Sequence, residues 1–181
     1  MKYFLFALSI VCVSCASYSE YVPSNYVIVI NKITDRYVKD TEEKYNVSLF
    51  GSGGGMMYNV NNIFLSFHVI KEVKLEEARK MYVEMVSDLL NRINQDEEVR
   101  PYLSHFPYTA KGVSIQLVFF SHPDISPPPE NIAIVSMLNG NIRYGINNPK
   151  TELYVDIHQE TYDDAVRIVN SQNQTYDTTV R

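Results

Sequence analysis

The sequence predicts a single α+β domain: a mainly antiparallel or mixed sheet with two to three helices on one face. Three observations carry that prediction. Residues 63–70 and 113–120 are strongly apolar, and Ile63, Leu65, Phe67 and Val69 alternate with Phe64, Ser66, His68 and Ile70 at the period of a strand. Asn139-Gly140 lies between two apolar runs, Asn131 to Leu138 and Asn141 to Ile146, as the preferred two-residue hairpin turn. Leu75 to Ile93 carries apolar residues at steps of three and four, which places them on one stripe of a helix. Consecutive strands with few helices point to a sheet covered on one side. No repeat of about 20 to 50 residues is present, so a solenoid is not expected.

The elements follow in chain order. One cation, Lys2, precedes a largely apolar run from Tyr3 to Val13 and small residues around Cys15, so residues 1–15 have the layout of a secretory signal. The run is about a dozen residues, short of the roughly twenty that span a bilayer, and is expected to be cleaved. Cleavage after Ala16 or Ser17 leaves a soluble protein. Cleavage before Cys15 leaves a thiol for lipid attachment; Val13-Ser14-Cys15 fits that reading, while Cys12 stands where such signals usually carry an aliphatic residue.

Residues 16–25 are polar and read as a tether, and residues 26–170 as the domain. Tyr26 to Ile33 reads as a first strand, with Thr34 capping a helix that runs to about Asn46. Gly51-Ser52-Gly53-Gly54-Gly55 reads as a flexible turn or strand-edge loop, since the Lys-Ser/Thr of a phosphate loop does not follow it. Glu76, Glu77 and Arg92 complement the dipole of the 75–93 helix. Pro127 to Pro129 impose an extended path. Leu153 to Ile157 is a further strand, Tyr162 to Val169 a short last helix, and residues 171–181 a flexible tail.

Composition narrows the function. Both cysteines, Cys12 and Cys15, lie in the leader, so the mature domain has no thiol and must be stabilised by burial. Loss of Lys2 with the leader takes the net charge from -5 to -6. An acidic domain repels phosphate backbones, which argues against a nucleic-acid partner. No basic cluster marks an anionic membrane surface, leaving a lipid at the N-terminus as the membrane contact. No cofactor is indicated.

Several constellations are candidates for chemistry. Asp156, His158 and Glu160 fall at i, i+2 and i+4, one face of a strand and a candidate metal row; Leu153, Val155 and Ile157 form the opposite, half-buried face. A solvated strand face explains the same pattern. His122 with Asp124 lies in a Pro-rich loop, where turn chemistry accounts for the Asp. A hydrolase built on His68, beside Ser66, or on His105 would need a nucleophile and an acid brought together, and no G-x-S-x-G is present. Arg100 and Tyr102 are residue types favoured in binding hot spots, and Gly53 and Gly54 offer backbone amides to a ligand. Pro101 and the neighbouring aromatics equally suit a helix-to-strand connector.

The order of these segments resembles a known family. The Gly-rich stretch ending in Met, FLSFHVI at 64–70, EEAR at 76–79, LLNRIN at 89–94, EEVRPYLSHFPYT at 97–109, the NG hairpin and TYDDAVRIV at 161–169 resemble a family of uncharacterised exported proteins, commonly described as lipoproteins, in chlamydia-like and other host-associated bacteria. The resemblance implies a bacterial envelope and a non-catalytic role, and carries over no functional residue. The expectation is an exported protein, periplasmic or lipid-anchored, that binds a protein or envelope component or plays a structural part. The alternatives are a metal-dependent binder or hydrolase using the His and Asp residues, and an effector released toward a host.

Overall fold

The computed structural model describes residues 23–151 and 153–179, the last seven by backbone alone. Its elements are α1 (Asn25–Tyr45), β1 (Val47–Gly55), β2 (Asn62–Ile70), α2 (Leu75–Gln95), β3 (Val113–Phe120), β4 (Ile134–Leu138), β5 (Asn141–Asn147), β6 (Tyr154–Thr161) and α3 (Tyr162–Thr179). Single 3-10 turns at Arg100–Tyr102 and Ala110–Gly112 punctuate the connector before β3. The predicted leader, Cys15 and most of the tether lie outside the described residues.

The strands join one six-stranded sheet in sequence order, β1 to β6. β2 and β3 run parallel, and the helical crossover that parallel neighbours require is α2. The other neighbours are antiparallel. Ile63, Leu65, Phe67 and Val69 on β2, and Val113, Ile115, Leu117 and Phe119 on β3, are buried at every second position, so one face of the sheet is the core. The three helices cover that face, with α2 between α1 and α3. This is the predicted class: one α+β domain with a mixed sheet and a single helix layer.

Tyrosines lock the layers together. The Tyr37 hydroxyl of α1 donates to Met85 O of α2 at 3.1 Å, and the Tyr82 hydroxyl of α2 donates to Ile115 O of β3 at 2.6 Å. Each buries a large ring while its polar end finds a carbonyl. Burial pushes both phenols far above their ordinary pKa, so they stay protonated donors.

Four expectations are corrected. Tyr26 to Ile33 is helix, not strand: Ile30, Ile33, Thr34, Tyr37 and Thr41 form a buried stripe at helical spacing, and packing on α2 and the sheet outweighs the strand preference of Val27 to Ile30. Thr34 is therefore no cap; it lies inside α1 and donates to Ile30 O and Asn31 O. Gly51 to Gly55 is neither turn nor loop but the second half of β1, paired with Asn62 to Ser66 of β2. Only Gly140 among the described glycines has a positive φ, so the Gly-rich stretch uses the absence of side chains, not conformational freedom. The last helix runs past Ser171 to Thr179, each added residue gaining a backbone hydrogen bond from the turn before it. The Asn139-Gly140 turn is as predicted, with φ of 50° and 76° at its two residues.

Candidate functional site

Because the described helices occupy one side, the alternate residues of each strand meet no described helix on the other. Along β2 these are Phe64, Ser66, His68 and Ile70, and along β3 Ser114, Gln116, Val118 and Phe120, each paired with its neighbour in register. Polar links run down the middle: Ser66 Oγ donates to Gln116 Oε1 at 3.0 Å, and Asn62 Nδ2 donates to Ser114 Oγ at 3.2 Å. An aromatic cluster occupies one end. A register shift between Leu49 and Gly51 leaves Phe50 out of the ladder, and its ring lies on His68 at 4.3 Å between centroids, 18° from parallel. Phe120 meets His68 edge-on at 5.0 Å. Phe50 remains 71% exposed, and Ile70 and Leu138 on the same face are also exposed. Exposed apolar surface of this kind, on a face that no described helix covers, makes this face the candidate site.

The carboxylate–histidine row has a different geometry from the one its spacing predicts. β6 carries a bulge: His158 stands opposite Tyr144 and Asp156 opposite Gly145, with Ile157 unpaired between them. Tyr144 and Gly145 are consecutive and point to opposite faces, so Asp156 and His158 part as well. Asp156 lies 3.8 Å from Arg143 on the helix-free side. His158 and Glu160 turn toward α2. There Arg79 Nε donates to Glu160 Oε1 at 2.7 Å, with the two side chains 7% and 6% exposed. His158 Nε2 lies 3.4 Å from Arg79 Nη2 and 3.5 Å from Glu160 Oε2. Among the described residues no group of three or more His, Cys, Asp or Glu is placed to hold a metal. Burial raises the Glu160 carboxyl, but the hydrogen bond and the charge of Arg79 outweigh it and hold the group below the usual carboxylate range. Leu153, Val155 and Ile157, expected as a half-buried face, are all exposed.

The remaining candidates are scattered. His105 spans two hydroxyls, Ser104 Oγ at 3.0 Å and Thr109 Oγ1 at 3.1 Å, and stacks on Tyr108. His122 opens a tight turn closed by the Ile125 amide donating to His122 O, with Asp124 at φ 61°, as turn chemistry predicts. Arg100 lies over the Phe106 ring at 4.6 Å, and Tyr102 packs against the core beside Tyr26. Gly53 and Gly54 line a cleft of about 580 Å³ between α1 and β1. Arg79, Phe50 and Phe120 did not stand out in the sequence. A cation within the apolar stripe of α2 was the available signal for a buried acid partner; nothing local marks Phe50 as the residue left out of the ladder.

No protein-family model, curated protein or solved structure matches this chain.

Proposed function

We propose that this chain is an exported, envelope-associated binding module that holds a protein partner on the helix-free face of its sheet. The observation that carries this reading is the exposed Phe50–His68–Phe120 cluster on a sheet whose helices all lie on the other side. Aromatic rings held rigid by their neighbours bury large areas at small entropic cost, which is the character of an interface anchor. The apolar leader and the cysteine-free domain support the export part of the reading. Tight ion pairing of Arg79 with Glu160 supports a structural role for part of the carboxylate–histidine row.

The test is site-specific photocrosslinking in the source cell's envelope, with the crosslinker at position 50 and a control at the exposed Lys80 on the helix side. A discrete protein adduct from position 50, absent from position 80 and reduced about tenfold by Phe120→Asp, is expected. Equal adducts from both positions, or none from position 50, would contradict the reading.

A further inference from the structure

One end of the domain carries exposed apolar side chains that take no part in the site above. The connection from β1 to β2 presents Met57 and Tyr58, 75% and 80% exposed, and the connector before β3 presents Phe106, 54% exposed. The two segments are fastened together: the Val60 amide donates to Tyr102 O at 2.8 Å, and the Ser104 amide donates to Val60 O at 3.2 Å. β2 begins here at Asn62, whereas His68 of the aromatic cluster stands six residues along it, about 20 Å away. The two patches are therefore separate surfaces.

The chain enters α1 at this same end. The hydroxyl of Tyr26, the second residue of α1, donates to Met57 O at 3.0 Å, and its ring lies 6.2 Å from that of Tyr102. Ten residue steps lead from Cys15 to Asn25, a reach of at most about 36 Å. A lipid on Cys15 would hold this end of the domain beside the headgroups, where the high local concentration lets a weak affinity become a standing contact. The side chains suit that place, since Tyr rings settle at the membrane–water boundary with the ring in apolar surroundings and the hydroxyl wet. The charge nearby is balanced, not basic: Lys32 lies 4.0 Å from Glu98 and Arg36 3.9 Å from Asp96. Without a cationic excess the surface fits zwitterionic headgroups and gains nothing from anionic ones.

We propose that Met57, Tyr58 and Phe106 form a membrane-apposed end, resting on the zwitterionic interface of the bilayer that holds the Cys15 lipid. The Phe50–His68–Phe120 cluster then stands at the far end of β2, clear of the headgroups. This proposal rests on the lipid-anchored form of the reading above.

The chain supplies its own test. Residues 15–181 hold one thiol, Cys15, and no Trp. Cys15 can be coupled to a maleimide phospholipid in phosphatidylcholine vesicles, with Tyr58→Trp as the reporter and Ile70→Trp, exposed at the opposite end of β2, as the control. Circular dichroism checks the fold of each. On coupling, the Tyr58→Trp emission should shift to the blue and be quenched by brominated lipid, and the Ile70→Trp emission should do neither. Adding Met57→Asp to the reporter should return its emission to that of the uncoupled chain. A Tyr58→Trp signal unchanged by coupling, equal quenching at positions 58 and 70, or a shift that requires phosphatidylglycerol would overturn the proposal. Because the coupling supplies the anchor, this result stands apart from whether cells lipidate Cys15, which the mass of the cellular chain decides.

Discussion

Arg79 brings a fixed cation into the apolar stripe of α2, and Glu160 on β6 is the acid that meets it, 81 residues away. A buried pair contributes little net stability over apolar residues of the same size, but removing one partner leaves an uncompensated charge. Arg79→Met should therefore cost about 3–5 kcal/mol in urea unfolding near neutral pH. The sign with pH follows from the depressed Glu160 carboxyl. Its stabilisation is present above the usual carboxylate range and is lost as pH falls through the lower, folded-state value. The gap between wild type and Arg79→Met should narrow in acid; a gap that widens would contradict the assignment. The tyrosines give a second contrast. Tyr82→Phe removes a 2.6 Å bond to Ile115 O and should cost about 1 kcal/mol. The Tyr144 hydroxyl is buried with no hydrogen-bond partner among the described residues, and burial, with the Glu160 carboxylate nearby, pushes its pKa up, so Tyr144→Phe should cost less than Tyr82→Phe. Thermal melts of the two variants decide it. None of these partnerships was legible in the sequence, because nothing local records which strand residue lies under Arg79.

At the scale of elements, the strands and helix with strong periodicity were readable, and their partners decided the rest. β3, α2 and the Asn139-Gly140 hairpin were legible because side-chain period and turn chemistry specify them locally. The start of α1 was not: Val27 to Ile30 prefer strand by themselves, and the buried stripe that makes them helix is recognisable only once α2 and β2 are beside it. β1 was obscured because glycines carry no pattern, and β2 supplies the register. That pairing makes a sharp prediction. A Cβ at Gly54 would lie 2.3 Å from Asn62 O, whereas one at Gly53 meets nothing within 4 Å. Gly54→Ala should lose about 1–3 kcal/mol and Gly53→Ala should change stability by no more than about 0.5 kcal/mol, measured by chemical denaturation. Equal costs would place β1 in a different register.

The whole molecule is a one-sided sandwich: helices on one face of a six-stranded sheet, an aromatic patch on the other, and two dissimilar open edges. The open face and edges were only partly legible. His68 and the alternating residues of β2 were visible as a face, but which face lies under helices depends on where α1 and α3 pack. The proposed binding role presupposes that the domain folds outside the cytoplasm, without disulfides, after losing an apolar leader of residues 1–15. The most direct measurement is the intact mass of the chain isolated from fractionated source cells. The expected result is a species in the envelope or medium lacking the leader, starting at Cys15 with an added lipid mass or just after Ala16 or Ser17 without one. A chain recovered from the cytoplasm with residues 1–15 intact would contradict it.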